Sequence, residues 1–285
     1  MKKIVTLALS LVIGASVVGC SNKEVDTKKE EKGNAKVENT IAFPKGYDTT
    51  SSGASSYAGG GNHNDSPYFK QLDVYNMKSD ENLTIIPEFK TYQQTTEYTC
   101  GPVSVLMVLE HYGEKSYEEL KIADIMQCNQ DINGNNKENP GEANEKGEYG
   151  TSTAGMVKFF DQKGWNVASS LTEADKDGYS FTDPEEFKSW VIKNLKNQTP
   201  IMIEWIDWAG HWQDIIGYDT MGTDDFGDDV IIFADAYDTS DHNQDGYYTY
   251  PAERFFYMWQ DRNILPDDHA IQQWVIAEPK KVEDF

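Results

Sequence analysis

The residues best suited to nucleophilic chemistry lie around Cys100, in the segment QQTTEYTCGPVSVLMVLEHYG at positions 93–113. The thiolate is the nucleophilic form of cysteine, and the unpaired N–H groups at a helix N-terminus lower the pKa of a nearby thiol. Cys100 precedes Gly101-Pro102 and an apolar run at helical spacing, so the pattern predicts a cysteine at such a terminus. The glycine is expected to let a substrate backbone approach closely.

A nucleophilic thiolate needs a partner that gives a proton to the leaving group, and histidine suits that task near neutral pH. Of the five histidines, His211 begins a predicted strand directly after the small pair Ala209-Gly210, which predicts an accessible ring. Asp235 ends the next predicted strand, VIIFADA, where it can fix the imidazole tautomer, and Asp238 competes for that role. The structural alternatives are a hydrogen-bonded histidine and a turn-capping aspartate.

The elements that must position these residues change in type along the chain. Helices are predicted to begin at Cys100, Ser116, Thr153 and Asp183; Ser116 and Glu119 form a capping box for a helix that runs through Cys128. Short β-rich segments then follow, namely IMIEWIDW, HWQDIIGY, DVIIFADA and QWVIAEP. Helices first and strands after predict an α+β fold with an antiparallel sheet.

Two further features could line a cleft near Cys100. The polar loop at positions 129–148 is long for a single domain, so it is a candidate lid or a surface insertion. The tryptophans that flank His211 could contact substrate, although strand alternation favours core packing for at least one of Trp205, Trp208 and Trp212.

The order Cys100, His211, Asp235 resembles that of the papain-like cysteine peptidases. Gln94 lies six residues before Cys100, where such enzymes place the glutamine that donates to the oxyanion, although Gln93 is a near rival. The segment HWQDIIGYD resembles their H…GY strand. The resemblance is closer still to the double-glycine-leader peptidase-like (C39-like) branch, on the evidence of YTCGPVSVLMVLEHYG, of GTST at positions 150–153 and of the strand that ends in aspartate.

This resemblance spans about residues 88–260 and implies a papain-like fold, with N-terminal helices packed on a C-terminal antiparallel sheet. It also implies thiol-dependent hydrolysis of peptide bonds, or a related acyl transfer, in a peptide or protein substrate, without a required cofactor. Cys100, His211 and Asp235 would form the triad, and Gln94 would donate to the oxyanion. One departure is Ala236, where the branch usually has a proline after the aspartate.

The sequence is also compatible with two functions other than peptide-bond cleavage. A catalytically silent lipoprotein could use the same cleft to bind a peptide or an envelope polymer, and a calcium-dependent adhesion or structural module is a third hypothesis. The structural alternative for the nucleophile is a disulfide between Cys100 and Cys128, the two cysteines that remain if Cys20 is lipidated.

A possible calcium loop follows the third strand. Side-chain oxygens that could bind calcium occur at alternate positions, on Asp241, Asn243 and Asp245. The same spacing is found in the first half of a calcium loop. Gly246 supplies the turn and the Tyr247 carbonyl would be the next ligand. Ala252 occupies the position of the usual bidentate acid, and Glu253 comes one residue later. The segment therefore predicts either a calcium site or a solvated acidic turn.

The first residues indicate export and a lipid anchor. Two lysines and a short apolar run predict a lipoprotein signal peptide over 1–19, because the run is too short to cross a bilayer. The segment Val17-Val18-Gly19-Cys20 resembles the lipobox of bacterial lipoproteins, so Cys20 is the predicted lipidation site. Charged and then Gly/Ser-rich sequence predicts a flexible tether over 20–67, and a single peptidase domain is expected over 68–285.

Charge and targeting together limit the partners. The chain has 48 acidic and 25 Lys or Arg residues, a net charge of −23. Such a surface repels phosphate backbones, so nucleic acid is not an expected partner. The acidic residues either attract a basic substrate at low salt or serve only to keep the protein soluble. The expected location is extracytoplasmic, anchored by lipid to the outer face of the cytoplasmic membrane or to the periplasmic side of an envelope membrane.

Overall fold

The computed structural model describes residues 39–58, 67–128, 150–239, 243–261 and 270–280. The chain divides into two units, Met1–Lys36 and Val37–Phe285, and all of the described residues belong to the second. The predicted signal peptide, Cys20, most of the tether, the loop at 129–148 and Asp241 lie outside the described residues. Within the described ranges, no helix is long and apolar enough to cross a bilayer.

The α-helices of this unit precede most of its sheet. In the described ranges they are α1 (Cys100–His111), α2 (Glu119–Met126), α3 (Thr153–Lys163), α4 (Ser170–Glu173), α5 (Pro184–Lys196) and α6 (Ala252–Met258). The predicted starts at Cys100, Thr153 and Asp183 agree with the structure, and the Asp183 carboxylate caps α5 by accepting from the Glu185 N–H at 2.8 Å. The capping box predicted at Ser116 does not form, because the Glu119 side chain lies elsewhere in the core.

The described strands form one antiparallel sheet. They are β1 (Leu83–Ile85), β2 (Asn166–Ser169), β3 (Ile201–Trp205), β4 (His211–Asp219), β5 (Val230–Asp235), β6 (Tyr247–Pro251) and β7 (Gln273–Glu278). Their order is β2-β7-β3-β4-β5-β6, with β1 paired to β4. The α+β fold predicted from the sequence is confirmed, although the sequence did not predict β1, β2, α4, β6 or α6.

Both faces of the central strands are covered. Trp205 on β3 lies opposite His211 on β4, so Trp212, the next residue, points to the other face. Trp212 contacts α1 at Gly101, whereas the Trp205 ring packs edge-on against Phe255 of α6, with 5.2 Å between centroids. A strand buried on both faces has a nearly continuous apolar sequence, which explains why β3 reads IMIEW.

Residues 39–58, here called the N-terminal strap, pack against the domain although the sequence assigned them to the tether. The Ile41 and Ser55 N–H groups donate to the carbonyls of Thr91 and Gln94 at 2.9 and 3.0 Å. Ala54 is fully buried. Gly53 has a φ of +66°, and a Cβ built there would lie 2.5 Å from the Thr96 backbone nitrogen. The glycine that suggested a linker therefore allows close packing.

We predict that Gly53→Ala destabilises the domain more than Gly46→Ala does. Both glycines have positive φ, so alanine strains the backbone at either position, but nothing lies within 4 Å of a Cβ at Gly46. The expected loss of unfolding free energy is roughly 1 kcal/mol at Gly46 and roughly 2–4 kcal/mol at Gly53, where steric overlap adds to the strain. Urea denaturation measures both, and equal losses would show that the strap is not packed.

Candidate active site

Cys100 is the first residue of α1, as the sequence predicted. Its side chain is partly exposed, while every residue from Gly101 to Leu109 is buried. Pro102 lies in the first turn, where its missing N–H costs nothing because the first helical N–H groups have no partner within the helix. The thiol therefore lies at the positive end of a helix whose body is fixed in the core.

The sequence suggested that Gly101 leaves room for a substrate backbone, but the structure shows that this space is filled. A Cβ built at Gly101 would lie 2.0 Å from Thr151 Cγ2 and 3.3 Å from Trp212 Cδ1. The Trp212 indole N–H in turn donates to the Thr151 carbonyl at 3.0 Å. The missing side chain thus lets the 150–153 segment and β4 pack directly against the first turn of α1.

His211 and Asp235 meet at the edge of the β4–β5 pair. His211 Nε2 lies 2.7 Å from Asp235 Oδ1, and the same oxygen accepts from the Tyr237 N–H at 2.8 Å. The sequence predicted an accessible ring, but His211 is only 3% exposed. Its position at the start of β4 places it over the paired strand, so the ring is covered while it contacts the carboxylate.

Asp238, the alternative partner for His211, is used elsewhere. Its Oδ2 accepts from the Gly246 N–H at 2.9 Å, and its own N–H donates to Gln93 Oε1 at 3.0 Å. The structure therefore brings Asp235 to the histidine and uses Asp238 to hold the following loop.

The environment shifts the pKa values of the thiol and the imidazole in opposite directions. Burial raises the pKa of Cys100, but the hydrogen bond and charge of His211, with the N–H groups of Trp212 and Gly101, outweigh it and lower the pKa. Burial lowers the pKa of His211, but the charge and hydrogen bond of Asp235, together with Cys100, raise it above its usual value. Both shifts favour a thiolate–imidazolium pair over the neutral pair.

The two neighbouring glutamines have different partners. Gln93 bridges the strand end, because its Nε2 donates to the Asp235 carbonyl at 2.8 Å while its Oε1 accepts from Asp238. Gln94 is 2% exposed, and its Nε2 donates to the Thr96 carbonyl at 2.8 Å. Gln93 thus ties this loop to β5, whereas Gln94 Nε2 has a second hydrogen beyond the one that it gives to Thr96.

Glu119 supports the loop before Cys100, a contact that the sequence did not predict. Its carboxylate is fully buried and accepts from the Thr95 N–H and hydroxyl, both at 2.8 Å, and from the Thr99 hydroxyl at 2.6 Å. Burial raises the pKa of the Glu119 carboxyl, an effect that these hydrogen bonds oppose. The loop that carries Gln94 and leads into Cys100 is therefore bound to the start of α2. In the sequence, the residue types of Thr95, Thr99 and Glu119 were the signal from which this contact could have been predicted.

This arrangement can be compared with known proteins. A model of the Peptidase_C39 like family matches residues 86–263, close to the range of about 88–260 expected from the motifs. The chain belongs to this family. Membership supports a cysteine peptidase with a peptide or protein substrate and agrees with the observed α+β fold. A search of curated proteins found no match.

One solved structure that aligns with this C39-like chain is the peptidase domain of Streptococcus ComA, a bi-functional ABC transporter involved in a quorum-sensing pathway. The two share 16% sequence identity over 67% of this chain and 99% of that chain, with a TM-score of 0.37.

The remaining predicted features of the C39-like chain have mixed outcomes. Trp205 and Trp212 are buried in the core, whereas Trp208 is 60% exposed. No disulfide joins Cys100 to Cys128.

In the proposed calcium loop, Asn243 Nδ2 donates to Asp245 Oδ2 at 2.7 Å. Among the residues described, no three His, Cys, Asp or Glu side chains could hold a metal ion together, and calcium binding stays a prediction because Asp241 is outside them.

We predict that Gly101→Ala is strongly destabilising and that Thr151→Ser partly reverses the loss. The alanine methyl group would overlap Thr151 Cγ2, the atom that serine lacks; the next atoms lie at 3.2 and 3.3 Å. We expect a loss of about 2–4 kcal/mol for Gly101→Ala alone, less than about 1 kcal/mol for Thr151→Ser, and a favourable coupling of about 1–2 kcal/mol in the double variant. Urea denaturation of all four proteins gives the coupling, and strictly additive losses would refute the contact.

Proposed function

We propose that this chain hydrolyses peptide bonds through a covalent acyl-enzyme formed on Cys100. The observation that carries the proposal is the buried contact between His211 and Asp235, 2.7 Å long, beside a thiol at the N-terminus of α1. Because Nε2 of His211 is bonded to Asp235, Nδ1 is the ring nitrogen available to Cys100. A plain structural histidine would not need a thiol at a helix N-terminus as its neighbour.

The first step forms a thioester. The Cys100 thiolate attacks the carbonyl carbon of the substrate, and the carbonyl oxygen takes the negative charge. When the tetrahedral intermediate collapses, the C–N bond breaks and His211 gives its proton to the leaving amine. Asp235 holds the ring in the tautomer and orientation that both proton transfers require.

The second step releases the product. A water molecule gives a proton to the now neutral His211 as it attacks the thioester, and the carbon–sulfur bond then breaks. The products are a carboxylic acid and the Cys100 thiolate beside the protonated imidazole. In both steps the oxyanion would accept hydrogen bonds from the Cys100 N–H, which has no partner within α1, and from the second hydrogen of Gln94 Nε2.

The proposed setting is the outer face of a bacterial membrane. Lipidation of Cys20, with the signal peptide at 1–19, would anchor the enzyme so that it meets peptide or protein substrates outside the cytoplasm. The net charge of −23 would favour basic over acidic substrates at low salt.

We predict that iodoacetamide labels Cys100 rapidly at about pH 6 and that His211→Ala slows the labelling at least about tenfold. The pKa of Cys100 is lowered, so thiolate is present below the usual range of thiol titration near 8.5. The pKa of His211 is raised, so the imidazolium that stabilises the thiolate is lost only at higher pH. kcat/KM for a peptide should therefore rise through the lowered thiol pKa and fall through the raised imidazole pKa.

Peptide mass mapping distinguishes Cys100 from Cys128, which serves as the internal control. Equal labelling of the two cysteines at pH 6, or labelling of Cys100 that does not depend on His211, would leave the family fold without an activated thiol and favour a silent peptide-binding protein.

We predict that substitution of Gln94 lowers activity, whereas substitution of Gln93 lowers stability. Gln94→Ala removes an oxyanion donor and should lower kcat by about a hundredfold or more, with little change in melting temperature. Gln93→Ala removes two buried hydrogen bonds that hold the strand end, so it should lower the free energy of unfolding by about 2 kcal/mol. Steady-state kinetics and urea denaturation of both variants test the assignment. A Gln94→Ala enzyme with full kcat would remove this residue from the mechanism.

A further inference from the structure

Three aromatic rings contact one another in a row and are here called the aromatic wall: Tyr57, Trp208 and Tyr237. The Trp208 and Tyr237 centroids are 5.4 Å apart, and those of Tyr57 and Tyr237 are 6.2 Å apart. Trp208 is 60% exposed and Tyr57 is 54% exposed. The rings come from the N-terminal strap, the β3–β4 turn and the residues after β5, so the fold itself assembles the wall.

The backbone at Trp208 holds its ring at a cost. The residue has φ +50° and ψ +23°, a left-handed conformation that is strained for a bulky side chain. Burial of the Trp208 side chain does not compensate for that strain, because Trp208 is largely exposed while its neighbours Trp205 and Trp212 are buried. An exposed aromatic side chain in a strained turn is typical of a binding surface.

Two residues of the wall adjoin the proposed triad along the chain. Trp208 is three residues before His211, and the Tyr237 N–H donates to the Asp235 oxygen that His211 also contacts. His211 gives its proton to the leaving amine, so that half of the substrate must depart past the histidine. In the proposed reaction, the first side chain after the cleaved bond would lie on the histidine side, near the residues that carry Trp208 and Tyr237.

The wall carries a negative charge at Glu97. Its Oε1 accepts from the Gly53 N–H at 2.7 Å, and its Oε2 accepts from the Tyr237 hydroxyl at 3.2 Å. In the part of the chain that the structure describes, no ion pair involves Glu97. His211 has the opposite charge when protonated, but it is buried and paired with Asp235, so the exposed surface retains the carboxylate.

We propose that the aromatic wall and Glu97 form a subsite for a lysine or arginine side chain in the leaving half of the substrate. Aromatic faces attract a cation and pack against its methylene chain, while the carboxylate supplies the opposite charge. A ring surface alone would accept any apolar side chain. The fixed carboxylate is what discriminates in favour of the cation. This inference rests on the proposed function for its placement relative to the cleaved bond.

The subsite is tested by binding alone, with the Cys100→Ala variant of the full chain. The probes are two product-like tripeptides, Lys-Gly-Gly-amide and norleucine-Gly-Gly-amide, which differ in the ammonium group but share the methylene chain. Calorimetry at low salt should give about tenfold tighter binding for the lysine peptide. Equal affinity for the two peptides would overturn the proposal.

Three variants locate that preference. Trp208→Gly should reduce it to about twofold or less; glycine is chosen because it adopts positive φ without strain, so folding is not at risk. Glu97→Gln should reduce the affinity for the lysine peptide and leave that for the norleucine peptide unchanged. Tyr257→Ala is the matched control, because Tyr257 is 69% exposed but lies on α6, and the preference should persist. An equal loss in Tyr257→Ala and Trp208→Gly would contradict the assignment.

Turnover tests the proposed function separately. Three pools of random decapeptides carry lysine, norleucine or glutamate at one central position, and mass spectrometry counts the cuts directly before that residue. Wild-type protein should cut the lysine pool most and the glutamate pool least. Lysine-selective binding without any cutting would retain the subsite and refute the peptidase. Cutting before norleucine as often as before lysine would retain the peptidase and refute the subsite.

Discussion

The contact between His211 and Asp235 is the constraint on which the rest of the candidate site depends. A carboxylate and an imidazole buried together lose their hydration, and they are stable only when their remaining hydrogen-bonding groups are also satisfied. Around Asp235, the Tyr237 N–H binds a side-chain oxygen and Gln93 binds the backbone carbonyl. These bonds hold the end of β5, and β4 is fixed beside it by the sheet. The geometry at the thiol follows from this anchored pair.

A second buried carboxylate holds the other half of the site. Glu119 binds Thr95 and Thr99, which bracket the loop between Gln94 and Cys100. The loop is therefore fixed from α2 on one side and from β5, through Gln93, on the other. Both anchors are buried polar side chains, a carboxylate and an amide, and a buried polar group that loses a partner is costly. These contacts hold Cys100 and His211 in fixed positions relative to each other, although the two residues lie 111 positions apart in the sequence.

The sequence predicted the positions of Cys100, His211 and Asp235 better than the contacts that hold them in place. Cys100, His211 and Asp235 stand at the boundaries of elements, where a helix start or a strand end is visible in local spacing. Glu119 was misread because its partners are non-local, and the capping-box pattern describes only neighbours along the chain. The close approach of Thr151 to Gly101 is likewise invisible in spacing. The strap was missed because Gly53 is needed for contact, whereas composition suggests flexibility.

The strap also determines which contacts of the domain a pulling force on the N-terminal side would reach first. It is joined to the loop before Cys100 by two hydrogen bonds: the Ser55 N–H donates to the Gln94 carbonyl, and the Gly53 N–H donates to the Glu97 carboxylate. A force on the chain ahead of residue 39 would meet the Thr40–Thr91 bridge first and then these two bonds. Tension would thus reach Gln94 and Glu97 before it reached the sheet. Pulling from the N-terminal side would act on the site itself, whereas pulling on β7 would load the strand ladder.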